Sequence, residues 1–277
     1  MKNHKNKFRK PAPKTQKTPD FREKTAPHPS QKRADLYGFH AVCEAWCNPA
    51  RDIQALYFCD QALKSFEPHM EKARILGLNR PVPTQLEKKQ LEALLPQGAV
   101  HQGLAIACKP LEELQIEDLI IQGHGLDKHI LLILDQVTDP HNVGAILRSA
   151  CAFGAHGVIL QKKHAPELTG VLAKTACGAL EHIPVAMETN LSRTIETLQE
   201  AGYFVYGLDE RGPRTIGETD LASRAVLVLG AEGAGLRPLV KEHCDALVRL
   251  PMAGPMPSIN VSNAAAVALY AMQVRVF

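Results

Sequence analysis

Apolar and polar positions along the chain change period several times, and each change predicts an element. Apolar residues recur at helical spacing over residues 40–46, run together for the length of a strand over 53–58, return to the helical period over 66–76 and 85–95, and read as a strand over 102–108. That alternation predicts a small α/β unit over residues 34–108. Residues 109–127 set leucines among acids ahead of a Gly-His-Gly turn, as a connector with one short helix would. A second block opens on Ile130-Leu-Leu-Ile-Leu134, uninterrupted in the manner of a strand buried on both faces of a parallel sheet. Apolar runs at 157–160, 203–207, 225–229 and 246–250, parted by segments of helical character, extend it to a doubly wound α/β domain over 128–277.

The chain has 277 residues, 45% of them hydrophobic and 22% charged, which is enough to bury a sizeable core and excludes both a disordered protein and a minimal disulfide scaffold. Charge changes the picture at one end. Residues 1–33 hold 11 of the 32 Lys+Arg against Asp20 and Glu23, or +9, leaving 21 bases and 27 acids, or −6, for the remainder. With five prolines and hardly any apolar side chains, this stretch predicts a disordered basic arm, suited to a polyanion or serving only solubility. The Lys/Pro-rich composition is unlike the Arg/Ser-rich, amphipathic pattern of an organellar transit peptide. Seven cysteines (Cys43, Cys47, Cys59, Cys108, Cys151, Cys177 and Cys244) form no Cys-x-x-Cys pair, so they read as reduced thiols of a cytosolic protein and supply no metal site. No apolar stretch nears the roughly 20 residues of a membrane span, and no signal-peptide core is found, which predicts a soluble, cytoplasmic protein.

Candidate chemistry lies in three loops of the second block. The first, Asp135-Gln-Val-Thr-Asp-Pro-His-Asn-Val-Gly-Ala-Ile-Leu-Arg148, has an Asp-Pro turn ahead of a helix expected to begin near Asn142. Arg148 would then sit over Gly144 and Ala145, small enough to leave room for a ligand, with a guanidinium fork suited to a phosphate oxygen; a capping Asn142 and a solvated Arg148 fit the same residues. The second, Gly230-Ala-Glu-Gly-Ala-Gly235, lets backbone approach a ligand closely without being a dinucleotide fingerprint or a P-loop. Glu232 within it would repel a phosphate, which leaves a cationic ligand, an orienting partner for Arg148, or a solvated carboxylate. The third, Leu250-Pro-Met-Ala-Gly-Pro-Met-Pro-Ser-Ile-Asn-Val-Ser262, is a long irregular segment of the kind usually kept for function, in which Ser258, Asn260 and Ser262 alternate with apolar residues. An alanine-rich helix over 263–274 follows, able to pack another backbone closely or to serve as an ordinary core helix.

Asn142-x-Gly144-x-x-x-Arg148, Gly230-Ala-Glu-Gly-x-Gly235, and Pro251-Met-x-Gly254 with Ser258-Ile-Asn-Val-Ser262 resemble, in order and spacing, the three motifs of the SpoU (TrmH) family of RNA ribose 2′-O-methyltransferases. Upstream, Tyr37-Gly-Phe-His-Ala-Val42 and Val100-His-Gln-Gly103 resemble the substrate-binding domain of the RlmB-type members, which act on 23S ribosomal RNA. The likeness covers about residues 35–277. It implies a SPOUT-type α/β methyltransferase domain tied in a deep trefoil knot and a smaller L30e/L7Ae-like α/β N-terminal domain. It also implies S-adenosylmethionine (SAM) as cofactor and a homodimer joined through the C-terminal helix, with the active site between protomers. By motif position, Leu208, Gly230, Leu250 and Ile259 should line the SAM pocket, and Asn142, Arg148, Glu232, Ser258 and Asn260 should be the catalytic positions. Ile259 stands where the family usually has Leu, and Pro255 and Pro257 where the RlmB type commonly has Ser.

Methyl transfer from a sulfonium needs no metal, so the catalyst must chiefly align the ribose 2′-hydroxyl with the methyl and assist loss of its proton. The glycine loop and Glu232 suit a cationic cofactor. An arginine with a pKa above about 12 makes a poor general base, so Arg148 is expected to clamp the adjacent phosphate while the proton passes to that phosphate or to water. The resemblance makes a 23S rRNA guanosine the expected target. A tRNA 2′-O-methyltransferase and a non-catalytic ribosome-binding protein on the same scaffold are the alternatives.

Overall fold

The computed structural model describes residues 32–59, 61–256 and 258–276. The basic arm, apart from Lys32 and Arg33, falls outside them, as does Pro257. The chain first builds a four-stranded sheet from β1 (Leu36–Tyr37), α1 (Phe39–Cys47), β2 (Ile53–Phe58), α2 (Ala62–Ile75), β3 (Thr84–Gln85), α3 (Lys88–Ala93) and β4 (Leu104–Cys108). The strand order is β1-β4-β2-β3, with β4 antiparallel to both neighbours and β3 parallel to β2. The helix expected over 85–95 is shorter, because Gln85 pairs into β3 and Glu87 begins α3 through a capping box with Gln90.

α4 (Ile116–Gln122) lies in the connection to a second sheet, which contains β5 (His129–Asp135), α5 (Pro140–Ala152), β6 (Gly157–Gln161), α6 (Gly170–Thr175), β7 (Val185–Glu188) and α7 (Leu191–Glu200). It continues through β8 (Phe204–Leu208), β9 (Arg214–Thr215), β10 (Arg224–Gly230), α8 (Pro238–His243), β11 (Ala246–Arg249) and α9 (Val261–Val276). The order is β7-β6-β5-β10-β8-β11-β9, and every pairing is parallel. All of β5 is buried, as a strand covered on both faces must be. α5, α6 and α9 pack one face, and α4, α7 and α8 the other. β10 inserts between β5 and β8, so the loops leaving the C-terminal ends of β5 and β10 lie side by side, with Asp135 opposite Gly230. Open parallel sheets bind ligands at such a switch point.

The two sheets share one apolar core, in which Trp46, Phe66 and Leu104 belong to the same cluster as Leu132, Leu147 and Leu172. Within it Arg51 grips Glu181 through Nε and Nη2 at 2.8–3.1 Å, both side chains being 2% exposed. Asn48 donates to the same carboxylate at 2.7 Å, and the Lys109 carbonyl accepts from Arg51 Nη1 at 3.1 Å, so the buried charges are hydrogen-bonded as well as paired. Among the described residues no helix is long and apolar enough to cross a membrane.

Candidate active site

α5 starts earlier than its sequence predicts. Pro140 takes the first helical position and Asp139 Oδ1 accepts from the His141 N–H at 2.9 Å, so Asp139 rather than Asn142 is the cap. The Asn142 side chain is thereby free to reach the other two loops. Its Nδ2 donates to Glu232 Oε1 at 3.3 Å, and its Oδ1 accepts from Asn260 Nδ2 at 3.0 Å. Asn260 Nδ2 also donates to Glu232 Oε1, which the Val261 N–H faces at 3.4 Å. Asn260 Oδ1 in turn accepts from the Ser262 N–H at 2.8 Å and from the Ser262 hydroxyl, which fixes the amide at the start of α9. Glu232 is thus partnered by two amides and not by Arg148.

A cleft of about 1140 Å³ opens beside this triad. Leu208, Gly230, Leu250 and Ile259 line it together with Glu232, Ser258 and Asn260, so the four expected cofactor residues and three of the five expected catalytic ones share one cavity, whose edge Asn142 braces. Gly230 is required by the loop itself: a Cβ there would run into the backbone of Gly235 and Leu236, where the loop closes through Gly235 N–H to Ala231 O at 2.9 Å. At its foot Asp135, fully buried, accepts from the Arg237 N–H at 2.9 Å and from Arg237 Nε at 2.6 Å. The motif reading misses this pair, whose one signal is a carboxylate ending an uninterrupted apolar strand. On the cleft wall, burial would raise the Asp209 carboxyl, but hydrogen bonds from Lys241 Nζ at 2.7 Å and from the Arg211 N–H at 2.8 Å hold it below the usual range.

Arg148 lies elsewhere. It is exposed on α5 and opens on a second cleft of about 580 Å³, with Nη1 donating to Cys177 Sγ at 3.4 Å. Gly144 does not leave room for a ligand beneath it. Instead it seats α6, since a Cβ would come 2.7 Å from Leu172 O and 2.8 Å from Thr175 Cβ. The structure therefore gathers Asn142, Glu232, Ser258 and Asn260 with the positions expected to line the cofactor pocket and sets Arg148 apart from them within one chain.

Comparison with known proteins places the same loops in a family. Residues 129–270, which carry all three motifs, match the SpoU rRNA Methylase family. The chain belongs to that family. A SpoU relative from Pseudomonas putida, 23S rRNA (guanosine-2'-O-)-methyltransferase RlmB, is 39% identical over 239 residues, which are 85% of this chain and 94% of the relative. The protein of the same name from Escherichia coli is 40% identical over 236 residues, 85% of this chain and 96% of the relative. The SpoU methyltransferase AviRb from Streptomyces viridochromogenes has the same fold, with a TM-score of 0.70 at 21% identity over 87% of this chain and 88% of that one. So does the AdoMet-bound rRNA methyltransferase from Sinorhizobium meliloti, at 0.70 and 23% over 88% of each chain.

Proposed function

We propose that this SpoU-family chain transfers the methyl group of SAM to the ribose 2′-hydroxyl of a guanosine in 23S rRNA. The observation that carries this reading is the meeting of Asn142, Glu232 and Asn260, drawn from three distant loops, at the edge of one cleft walled by Leu208, Gly230, Leu250 and Ile259. That cleft suits the cofactor chemically. Leu208, Leu250 and Ile259 offer apolar walls for a purine, and the glycine loop offers backbone groups. Glu232, held by two amides, offers a fixed negative charge to a cationic sulfonium. When bound, SAM supplies an electrophilic methyl group.

The chain's own work is positioning. The Asn142–Glu232–Asn260 network fixes its carboxylate before substrate arrives, so no reorganisation is needed during reaction. Arg148 holds the phosphate beside the acceptor ribose and lowers the cost of ionising the 2′-hydroxyl, whose proton passes to that phosphate or to water. Ser258 adds a hydroxyl on the cleft wall.

Two observations support a homodimer. Arg148 and the cofactor cleft are separate within one chain, and α9 exposes Val267, Tyr270 and Val274 at helical spacing. Joining two chains through α9 would bring Arg148 of one protomer to the cofactor cleft of its partner. On the same reading residues 34–108 form an L30e/L7Ae-like RNA-binding domain and residues 109–127 a linker. Residues 128–277 form a knotted methyltransferase domain, and the basic arm over 1–33 touches RNA phosphates in the cytoplasm. Calorimetry with SAM, followed by transfer of labelled methyl into 23S rRNA and into tRNA, tests the proposal. Bound SAM with label confined to the ribosomal RNA is expected. Label in tRNA alone would move the activity there, and failure to bind SAM would leave a non-catalytic ribosome-binding protein.

A further inference from the structure

The second cleft forms where residues 37–41 and 96–102, beside the first sheet, face α5 and α6 of the second. At about 580 Å³ it lies within the range that holds small ligands. Its lining, among the described residues, is one-sided: the cations Arg148 and Lys174 line it with the imidazoles of His40 and His141, and no carboxylate does. Among the described residues neither Arg148 nor Lys174 has an ion pair. Lys174 is half-buried, its stem laid so close on Gly38 that a Cβ there would come 3.2 Å from Lys174 Cγ. The packed stem holds the ammonium at the cleft, and with no counter-charge among the described residues it is left to meet an anion. Gln102 adds a second, independent signal. Its φ of +52° lies in the left-handed region that side chains avoid, and such strain concentrates at functional positions. Its Oε1 accepts from the Phe39 N–H at 3.0 Å, so the group left to offer a ligand is the pair of Nε2 hydrogens. Val100, 61% exposed, supplies an apolar surface on the same wall.

We infer that this cleft takes one unstacked nucleotide of single-stranded RNA beside the acceptor ribose, its phosphate on Lys174 and Arg148 and an acceptor on its base edge on the Gln102 amide. The inference rests on the RNA reading above. A phosphodiester is the anion that carries a flat apolar base with acceptor atoms attached, matching cations, an apolar wall and an amide donor in one cavity. The base must be unstacked, because a paired base within an A-form helix presents only an edge, whereas a cavity of this size encloses the whole base only when it is splayed out of the stack.

Full-length protein and a 23S rRNA transcript provide the test. Lys174→Met keeps the stem on Gly38 and removes the charge. It should weaken RNA binding about tenfold and lower the log–log salt slope by about 0.7, with SAM affinity unchanged. Gln102→Glu keeps an acceptor for the Phe39 N–H and removes the donors. It should raise the KM for RNA about tenfold and blunt discrimination against a transcript altered at the neighbouring base. In the unaltered protein, RNA should shield the Cys177 thiol from alkylation more than guanosine monophosphate does, which separates a nucleotide within a chain from a free one. Unchanged RNA affinity and slope in a Lys174→Met protein that still binds SAM, or a Cys177 that RNA leaves reactive, would overturn the inference. Binding and shielding do not depend on turnover. Failure of the unaltered protein to methylate ribosomal RNA would count against the proposed reaction instead, and these two measurements would still decide the cleft.

Discussion

Along α5, Asn142 and Arg148 stand six residues apart, less than two turns, yet meet opposite surroundings. The Asn142 amide is tied at both ends, to Glu232 and to Asn260, and Asn260 is tied again to Ser262. Among the described residues Arg148 has a thiol at 3.4 Å and no carboxylate partner, in a cavity with Lys174, a second cation without an ion pair. In the first cleft the protein satisfies its own polar groups, so geometry is settled before a ligand comes. In the second, cations are left for the ligand to satisfy, so binding strength is deferred until RNA arrives and should vary with salt. A methyltransferase needs both: a cofactor site rigid enough to aim a methyl group, and an RNA site that can exchange partners.

The junction between the two sheets should give the largest effect. Glu181→Ala would leave Arg51 buried without its counter-charge and should destabilise the protein by about 3–5 kcal/mol in urea titration. Because this pair ties the loop after α1 to the segment after α6, and both of those helices line the second cleft, RNA affinity should fall while SAM affinity in the folded fraction holds. Arg148→Ala should reduce methyl transfer about 10²–10³-fold with SAM affinity unchanged, as calorimetry and turnover measured on one preparation would show. Gly230→Val should do the reverse, abolishing SAM binding and costing about 1–3 kcal/mol as the side chain drives into Gly235. RNA affinity that survives this change would separate the clefts cleanly.

The smallest effect lies outside both clefts. His129, at the start of β5, is buried with Tyr203 Oη 2.7 Å from its Nδ1, and its pKa is lowered to about 4 by burial first, then by His156 and Arg224. The unfolded chain binds this proton more readily than the folded one, so stability is full above about pH 6.5 and declines as the pH falls toward 4. The expected loss is about 1 kcal/mol between pH 7 and pH 5.5. Unfolding curves across that range check it, and SAM affinity per folded molecule should not follow.

The strands that build the switch point were legible because burial on both faces leaves no polar residue to interrupt them, as in β5 and β10. β7 was not legible, since a four-residue edge strand with two half-buried positions carries neither a continuous run nor a clean alternation. β1, β3 and β9, of two residues each, carry no period at all. The residues that line the first cleft could be grouped from their motifs. The bond from Asn142 to Glu232 spans 90 residues, however, and no local pattern announces it. The cap on α5 was misplaced because Asn and Asp both favour that position, and only Pro140, fit for the first turn, decides for Asp139. The second cleft was hidden altogether. Its walls come from four separate stretches, and Lys174, alone on a short helix, looks like any solvated lysine until Gly38 is seen beneath it.

Incubation of the protein with 23S rRNA and methyl-labelled SAM, followed by alkaline hydrolysis, asks where the methyl group lands. A methylated 2′-hydroxyl blocks cleavage of the next phosphodiester bond, so label is expected in an alkali-resistant dinucleotide beginning with guanosine. Arg148→Ala protein should give about 10²–10³-fold less of it in the same time. Label recovered in mononucleotides would place the methyl on a base, and the account of a ribose hydroxyl aligned between a fixed cofactor cleft and a phosphate clamp would be wrong.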